Sequence, residues 1–318
     1  MGGAATAERV RVDSAGPRRA GKPRAPAVRH ARYTPWLMLA AALATTLTFS
    51  LFPFFNTVVL SFTNARPLGG GEFTGLANYR EMASDELFWI ALRNSTLYML
   101  VCVPLLVMLP LLLAVLVAKQ LPGTAFFRAS FFTPVVASVV VVGLIWNWML
   151  GTNGLVNGVL QSLHVITEPI GFVTDGWLLL FSCMAVTVWK GLGYYMVIYL
   201  AALANVPAEL HEAAAIDGAG PVQRFLRVTL PALRSTMVLV GALSAISAFR
   251  VFTEVYVMSY GSGGPGQESI TLVFYVQQVG RGLDGSVGYA SAISLVLFVL
   301  TLGFSVLLLR LHRREDRL

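Results

Sequence analysis

The chain has 318 residues, 56% of them hydrophobic and only 12% charged, where a soluble domain carries about 25% charged residues, so it is read as an integral membrane protein. Its two cysteines, Cys102 and Cys183, sit in apolar runs, and its four histidines, His30, His164, His211 and His312, share no ligand spacing, which argues against a disulfide framework or a metal site. The net charge of +7 gathers in tails and short loops beside apolar runs, the pattern that orients a membrane protein and not one that grips nucleic acid.

Residues 1–35 hold eight Lys or Arg among Gly, Pro and Ala without apolar periodicity, and read as a disordered basic cytoplasmic tail. The apolar run that follows, 36–62, is longer than the about 7–15 residues of a cleaved signal, so it is taken as a retained first helix. Further apolar runs cover 96–118, 129–150, 177–200, 235–260 and 288–309. Each can cross about 30 Å of hydrocarbon at about 1.5 Å per residue. The expected fold is all-α, a six-helix transmembrane domain over 36–310 with a short cytoplasmic tail at 311–318. Lys and Arg number seventeen in the two tails, the loop with Lys119 and Arg128, and the loop with Arg224, Arg227 and Arg234. The opposite side has only Arg66, Arg80, Arg93 and Arg281, which places both termini and the central loop in the cytoplasm.

That central loop, 207–233, is a compact alanine-rich passage built as a helix, a turn and a second short helix. Pro207 suits a helix start, Glu209 and Glu212 suit the positive end of the helix dipole, and Gly218, Gly220 and Pro221 break the segment. Pro231 is expected to end the second piece. Ala213, Ala214 and Ala215 add helix propensity with little bulk, so the backbone can press closely into a groove on another surface.

Glu212, Ala213, Ala214, Asp217, Gly218, Ala219, Leu230 and Pro231 together resemble the EAA loop of membrane subunits of binding-protein-dependent ABC importers. The resemblance implies a cytoplasmic coupling helix that docks in a cleft of an ATP-hydrolysing subunit. A second layer lies on the opposite side: Ser61-Phe62-Thr63, Phe73 to Tyr79, Phe88-Trp89, Arg93-Asn94-Ser95 and Gly263-Gly264-Pro265. These are similar to the outer segments of sugar-importer permeases of the maltose and glycerol-3-phosphate type, which receive a solute-binding protein.

Charges inside a spanning helix are costly and mark function by default. In the fourth run Thr187, Lys190, Gly191 and Tyr194 share one helical face, and in the fifth Ser244, Ser247 and Glu254 do, with Arg250 beside them. Hydroxyl-matching groups and an aromatic platform are what a sugar needs. Small and hydroxyl residues also serve helix packing, and Arg250 or Lys190 can instead pair with Glu254. With no G-x-x-x-x-G-K-[ST] run and no nucleophile triad, the chain is expected to be no enzyme, with ATP and Mg bound by a partner. The expected partners are a second permease, a dimer of ATP-binding subunits, an extracytoplasmic solute-binding protein, a sugar and membrane lipid. The alternatives are import of glycerol-3-phosphate or another polyol phosphate, an ion-coupled secondary transporter, and a membrane-anchored scaffold. The ion-coupled reading would need internal repeats and a proton relay, and no repeat is evident.

Overall fold

The computed structural model describes Gly2 and residues 34–118 and 123–315. The basic tail, Lys119 and Arg317 therefore lie outside the described residues. The described chain divides at Phe52–Pro53 into two units. Helix α1 covers Thr34–Thr46, a π turn follows over Leu47–Leu51, and α2 covers Phe52–Leu60. The π turn closes with the Phe52 N–H on the Leu47 carbonyl. Pro53 stands next in the chain. It lacks an N–H and crowds the carbonyl four residues back, so the preceding turn widens.

Helix α3 (Ala77–Ser84) leads through Asp85 into α4 (Glu86–Ala118), 33 residues long and thus about 50 Å. The expected start at 96 is ten residues late, because Glu86, Arg93, Asn94 and Ser95 interrupt the apolar signal without interrupting the helix. Two of the expected spans are broken. The third divides into α5 (Thr124–Val136) and α6 (Val139–Leu150), with Ala137 extended between them. Helix α7 (Leu155–Ser162) follows, and Asp175 then caps α8 (Gly176–Leu203) by accepting the Leu178 N–H at 2.9 Å.

Helix α9 (Ala208–Ile216) opens after Pro207, which is its cap and not its first residue. It closes with Asp217 as C-cap and Gly218 at φ +79°. The Ala219 N–H reaches the Ala214 carbonyl at 2.9 Å and the Gly218 N–H the Ala215 carbonyl at 3.1 Å, the paired closure that a left-handed residue permits. The second piece runs through α10 (Pro221–Arg224), a π turn over Phe225–Thr229 and α11 (Leu230–Ala232). Pro231 stands inside its last turn and does not end it; Leu233 does, and the chain bends by 68° into α12 (Arg234–Phe249).

The fifth expected span breaks at Arg250, the C-cap of α12, and resumes as α13 (Thr253–Met258). The Val251 carbonyl, freed from the helix, accepts the hydroxyl of buried Thr271 at 2.9 Å. Helices α14 (Leu272–Gly280) and α15 (Val287–Glu315) complete the chain. Within the second unit α4 packs along α8 and α12, α15 closes on α12 and α14, α5 lies on α8, and α6 on α13. Tyr98, Leu106, Met184, Met196 and Tyr199 fill the seam. Five helices of the described residues are long and apolar enough to cross a membrane, and six if the bent pair Pro221–Ala232 and Arg234–Phe249 counts as one span.

Candidate functional site

Both breaks open onto the same place. A cavity of about 390 Å³ is lined by Thr187, Lys190, Gly191, Tyr194, Ser247 and Glu254 among others. A second, of about 420 Å³, shares Val139, Thr187, Leu243, Ser247 and Glu254 with it and adds Arg250 and the break residues Val251 and Phe252. Seven of the eight expected residues therefore meet there. Ser244 does not: it is buried, and its hydroxyl bonds its own helix at Gly241 O, 3.1 Å away.

The chemistry left to each residue differs. Tyr194 is 47% exposed and stands edge-on to Tyr195, with ring centroids 5.1 Å apart. The Thr187 hydroxyl is taken by buried Tyr98, 2.5 Å away, whose other bond goes to the Cys183 carbonyl. Gly191 faces the Leu106 side chain, where a Cβ would stand 2.7 Å from Cδ2. Two residues on, a Cβ on Gly193 would lie 2.1 Å from the Phe131 carbonyl oxygen, so glycine is what lets α8 and α5 meet backbone to backbone. Lys190 donates to three carbonyls at the end of α5, Pro134 at 2.9 Å, Val135 at 3.2 Å and Ala137 at 2.8 Å. The expected Arg250–Glu254 pair on a single helix is corrected, because the break places Arg250 at the end of α12 and Glu254 at the start of α13.

The loop between α8 and α12 is a second candidate site. No residue of α9 is buried; Glu212, Ala213, Asp217, Gly218 and Pro231 are exposed, and Ala214, Ala219 and Leu230 half-buried. Ile216 is 87% and Val222 70% exposed, apolar surface that no neighbour in the described residues covers.

The motifs at residues 73–79, 93–95 and 263–265 do the opposite and turn inward. Asn78, from the Phe73–Tyr79 stretch, donates to the carbonyls of Ser61 at 2.8 Å and Thr63 at 2.9 Å, while Tyr79 bonds the Ser61 hydroxyl. Asn94 is 0% exposed and donates to the Glu268 carbonyl at 2.6 Å and that of Ile270 at 2.8 Å. Beside it the Ser95 hydroxyl accepts the Leu272 N–H at 2.8 Å. The loop of Gly263-Gly264-Pro265 is fastened to the start of α8 through Ser269, which bonds Gly176 O at 2.7 Å.

Sequence reasoning missed Asp85, whose carboxylate accepts the hydroxyls of both Tyr275 and Tyr289 and so ties α4 to α14 and α15. Burial works against its charge, but these two hydroxyls and the N–H groups of Phe88 and Leu87 hold its pKa below the ordinary carboxylate value. It also missed Asn147, which donates to the Met258 carbonyl at 2.5 Å, accepts the Tyr260 hydroxyl at 3.0 Å and joins α6 to α13. A lone Asn in an apolar run was the available signal.

Residues 92–314 match the family described as binding-protein-dependent transport system inner membrane component. The chain is 34% identical to the lactose transport system permease protein LacF of Rhizobium radiobacter, over 85% of this chain and 91% of that one. It is also 34% identical to the diacetylchitobiose uptake system permease protein NgcF of Streptomyces coelicolor, over 93% and 87%. The arabinooligosaccharides transport system permease protein AraP of Bacillus subtilis is 33% identical, over 87% and 88%. In fold it is similar to a chain of a bacterial ABC transporter involved in the import of the acidic polysaccharide alginate, with a TM-score of 0.75 at 20% identity, covering 89% of this chain and 96% of that one.

Proposed function

Because this chain belongs to the inner membrane components of binding-protein-dependent transport systems, and is thus a permease subunit and not an enzyme, we propose that the cargo it passes is a carbohydrate. The three relatives above are named for lactose, diacetylchitobiose and arabinooligosaccharides, which supports a small glycan as the class. Membership displaces the ion-coupled and scaffold readings. In the proposed assembly this chain and a second permease span the membrane, an extracytoplasmic binding protein delivers the sugar, and two ATPase subunits bind ATP and Mg in the cytoplasm, where both termini of this chain lie.

The observation that carries the coupling role is the loop of α9 to α11, helical, closed by its own hydrogen bonds and exposed along α9. A folded segment with uncovered apolar residues fits a docking surface better than a connector. Glu212 then faces the ATPase as a charge, and Ala213 and Ala214 admit close approach. ATP-driven closure would draw two such loops together and turn the permease pair outward.

Within the cavity, Tyr194 and Ser247 are two neutral side chains that make no hydrogen bond among the described residues, one able to meet a sugar by its ring and the other by its hydroxyl. The Arg250 guanidinium makes no hydrogen bond or ion pair among the described residues. That free cation favours one second reading, a polyol phosphate or other anionic sugar as cargo. The test is substrate-stimulated ATP hydrolysis in the reconstituted complex with loaded binding protein. Tyr194→Ala and Ser247→Leu are expected to weaken the stimulation by about tenfold each, and unchanged stimulation in both would move the site elsewhere. Stimulation by phosphorylated but not neutral sugars, lost in Arg250→Gln, would replace the first reading by the second.

A further inference from the structure

Lys190 and Glu254 line the same cavity but satisfy each other by no hydrogen bond. The lysine is instead saturated. An ammonium has three protons, and the three carbonyls of Pro134, Val135 and Ala137 take them all. Those carbonyls stand at the C-terminal end of α5, where a helix leaves its last acceptors without partners and its dipole favours a cation. Lys190, on α8, is therefore a clamp on the elbow between α5 and α6, and the backbone contact of Gly193 with Phe131 holds α8 to α5 one turn away.

Glu254 has the reverse condition. No side chain among the described residues donates to its carboxyl group, which takes its own backbone N–H and lines the cavity that Lys190 also lines. A lysine spent on neutral carbonyls, in one cavity with a carboxyl group that has no side-chain donor, is an arrangement one change of acceptor would relieve.

We propose that Lys190 is a positioning residue of the transport cycle with two alternative acceptors. In the conformation described here it clamps the α5–α6 elbow to α8; in the opposite-facing one it passes to Glu254 and lets the elbow move. Neither residue need touch cargo. The exchange transfers hydrogen bonds only, with no covalent step. It rests on the reading of the chain as an alternating-access permease, so the wild-type complex in proteoliposomes is first required to show ATP-driven uptake; a wild type that shows none counts against that reading and not against this one.

Uptake is then measured against the concentration of loaded binding protein. Glu254→Gln, which leaves the clamp intact, is expected to assemble normally and to lose about tenfold in maximal rate, with half-saturation and substrate preference within about twofold of wild type. Lys190→Met is expected to lose at least as much, and the double variant to fall no more than about twofold below Lys190→Met. Altered substrate preference with the rate preserved, or losses that multiply in the double variant, would overturn the proposal. Should Lys190→Met fail to accumulate, spin labels at Phe132→Cys on α5 and Val197→Cys on α8 decide the matter, in a background with Cys102 and Cys183 replaced by Ala. Their separation is expected to change on nucleotide trapping in the wild-type cavity and to stay fixed with Glu254→Gln. An equal change in both would refute the exchange.

Discussion

The segments around Asn78, Asn94 and Ser269 and the loop between α8 and α12 are alike in sequence and opposite in structure. Both are passages between apolar spans that are punctuated by Gly, Pro and small residues. In the first the polar residues turn inward: Asn78, Asn94, Ser95 and Ser269 are buried and spend their hydrogen bonds on carbonyls and N–H groups of their own chain. In the loop between α8 and α12 Glu212, Ala213, Asp217 and Gly218 are exposed, and the turn after α9 closes through backbone bonds, with the Gln223 side chain accepting the Gly220 N–H at 3.1 Å at the start of α10. A motif can thus be required by the fold of the chain that carries it or by the surface of another chain. Burial tells the two apart where the sequence does not.

The sharpest way to break this contrast is to substitute both regions and ask what is lost. Glu212→Lys and Gly218→Val are expected to reduce uptake to background, a loss of about 30-fold or more, while the amount in the membrane stays near wild type. Gly218 has open space around it, so the valine would be strained only by the φ of +79°. Near-normal uptake in both would show that the exposed loop is no docking surface.

Asn94→Leu should do the reverse. It leaves the carbonyls of Glu268 and Ile270 without a donor in a buried place, a destabilisation of about 2–3 kcal/mol. The membrane should hold less assembled protein with a lower Tm, and what remains should transport at the wild-type rate per molecule. Wild-type amount with altered kinetics would transfer Asn94 from folding to function.

A smaller effect is expected at Asp85. Its folded pKa is depressed, so its contribution to stability is complete above the unfolded value of about 3.9 and is lost as pH falls through the lower folded one. Thermal unfolding in detergent should therefore separate wild type from Asp85→Asn at pH 6 and bring them together toward pH 3. Parallel curves would mean that Tyr275 and Tyr289 hold the site without help from its charge. Smallest of all, Ser244→Ala should change uptake by less than about twofold, since its hydroxyl serves only its own helix.

The six apolar runs and the helix, turn and helix of the loop are legible in the amino-acid order, because length and hydropathy decide the first and Gly218 the second. The breaks are not. Apolarity sets whether a segment lies in the bilayer and is blind to where a carbonyl finds its donor: Thr271 meets Val251 and Lys190 meets Ala137 across 20 and 53 positions of sequence. The same blindness makes Lys190 look free for a ligand, since its acceptors are backbone atoms that no side-chain pattern reveals. Helical spacing places Thr187, Lys190, Gly191 and Tyr194 together because α8 is unbroken. It misjudges Ser244, which points into the packing between helices, and the Arg250–Glu254 spacing, which presumes a helix that stops.

The π turn at Phe225–Thr229 bears on how this loop can vary. It houses one residue more than an α turn over the same rise, and Pro231, two positions beyond it, is the reason it persists. Deleting one residue there would leave a helix still able to form. It would, however, swing the azimuth of Pro221–Arg224 by about 100° about the helix axis relative to the Leu233 anchor. Pro231 then has an influence several residues upstream of itself. Though exposed, it fixes the direction in which the start of the second piece faces.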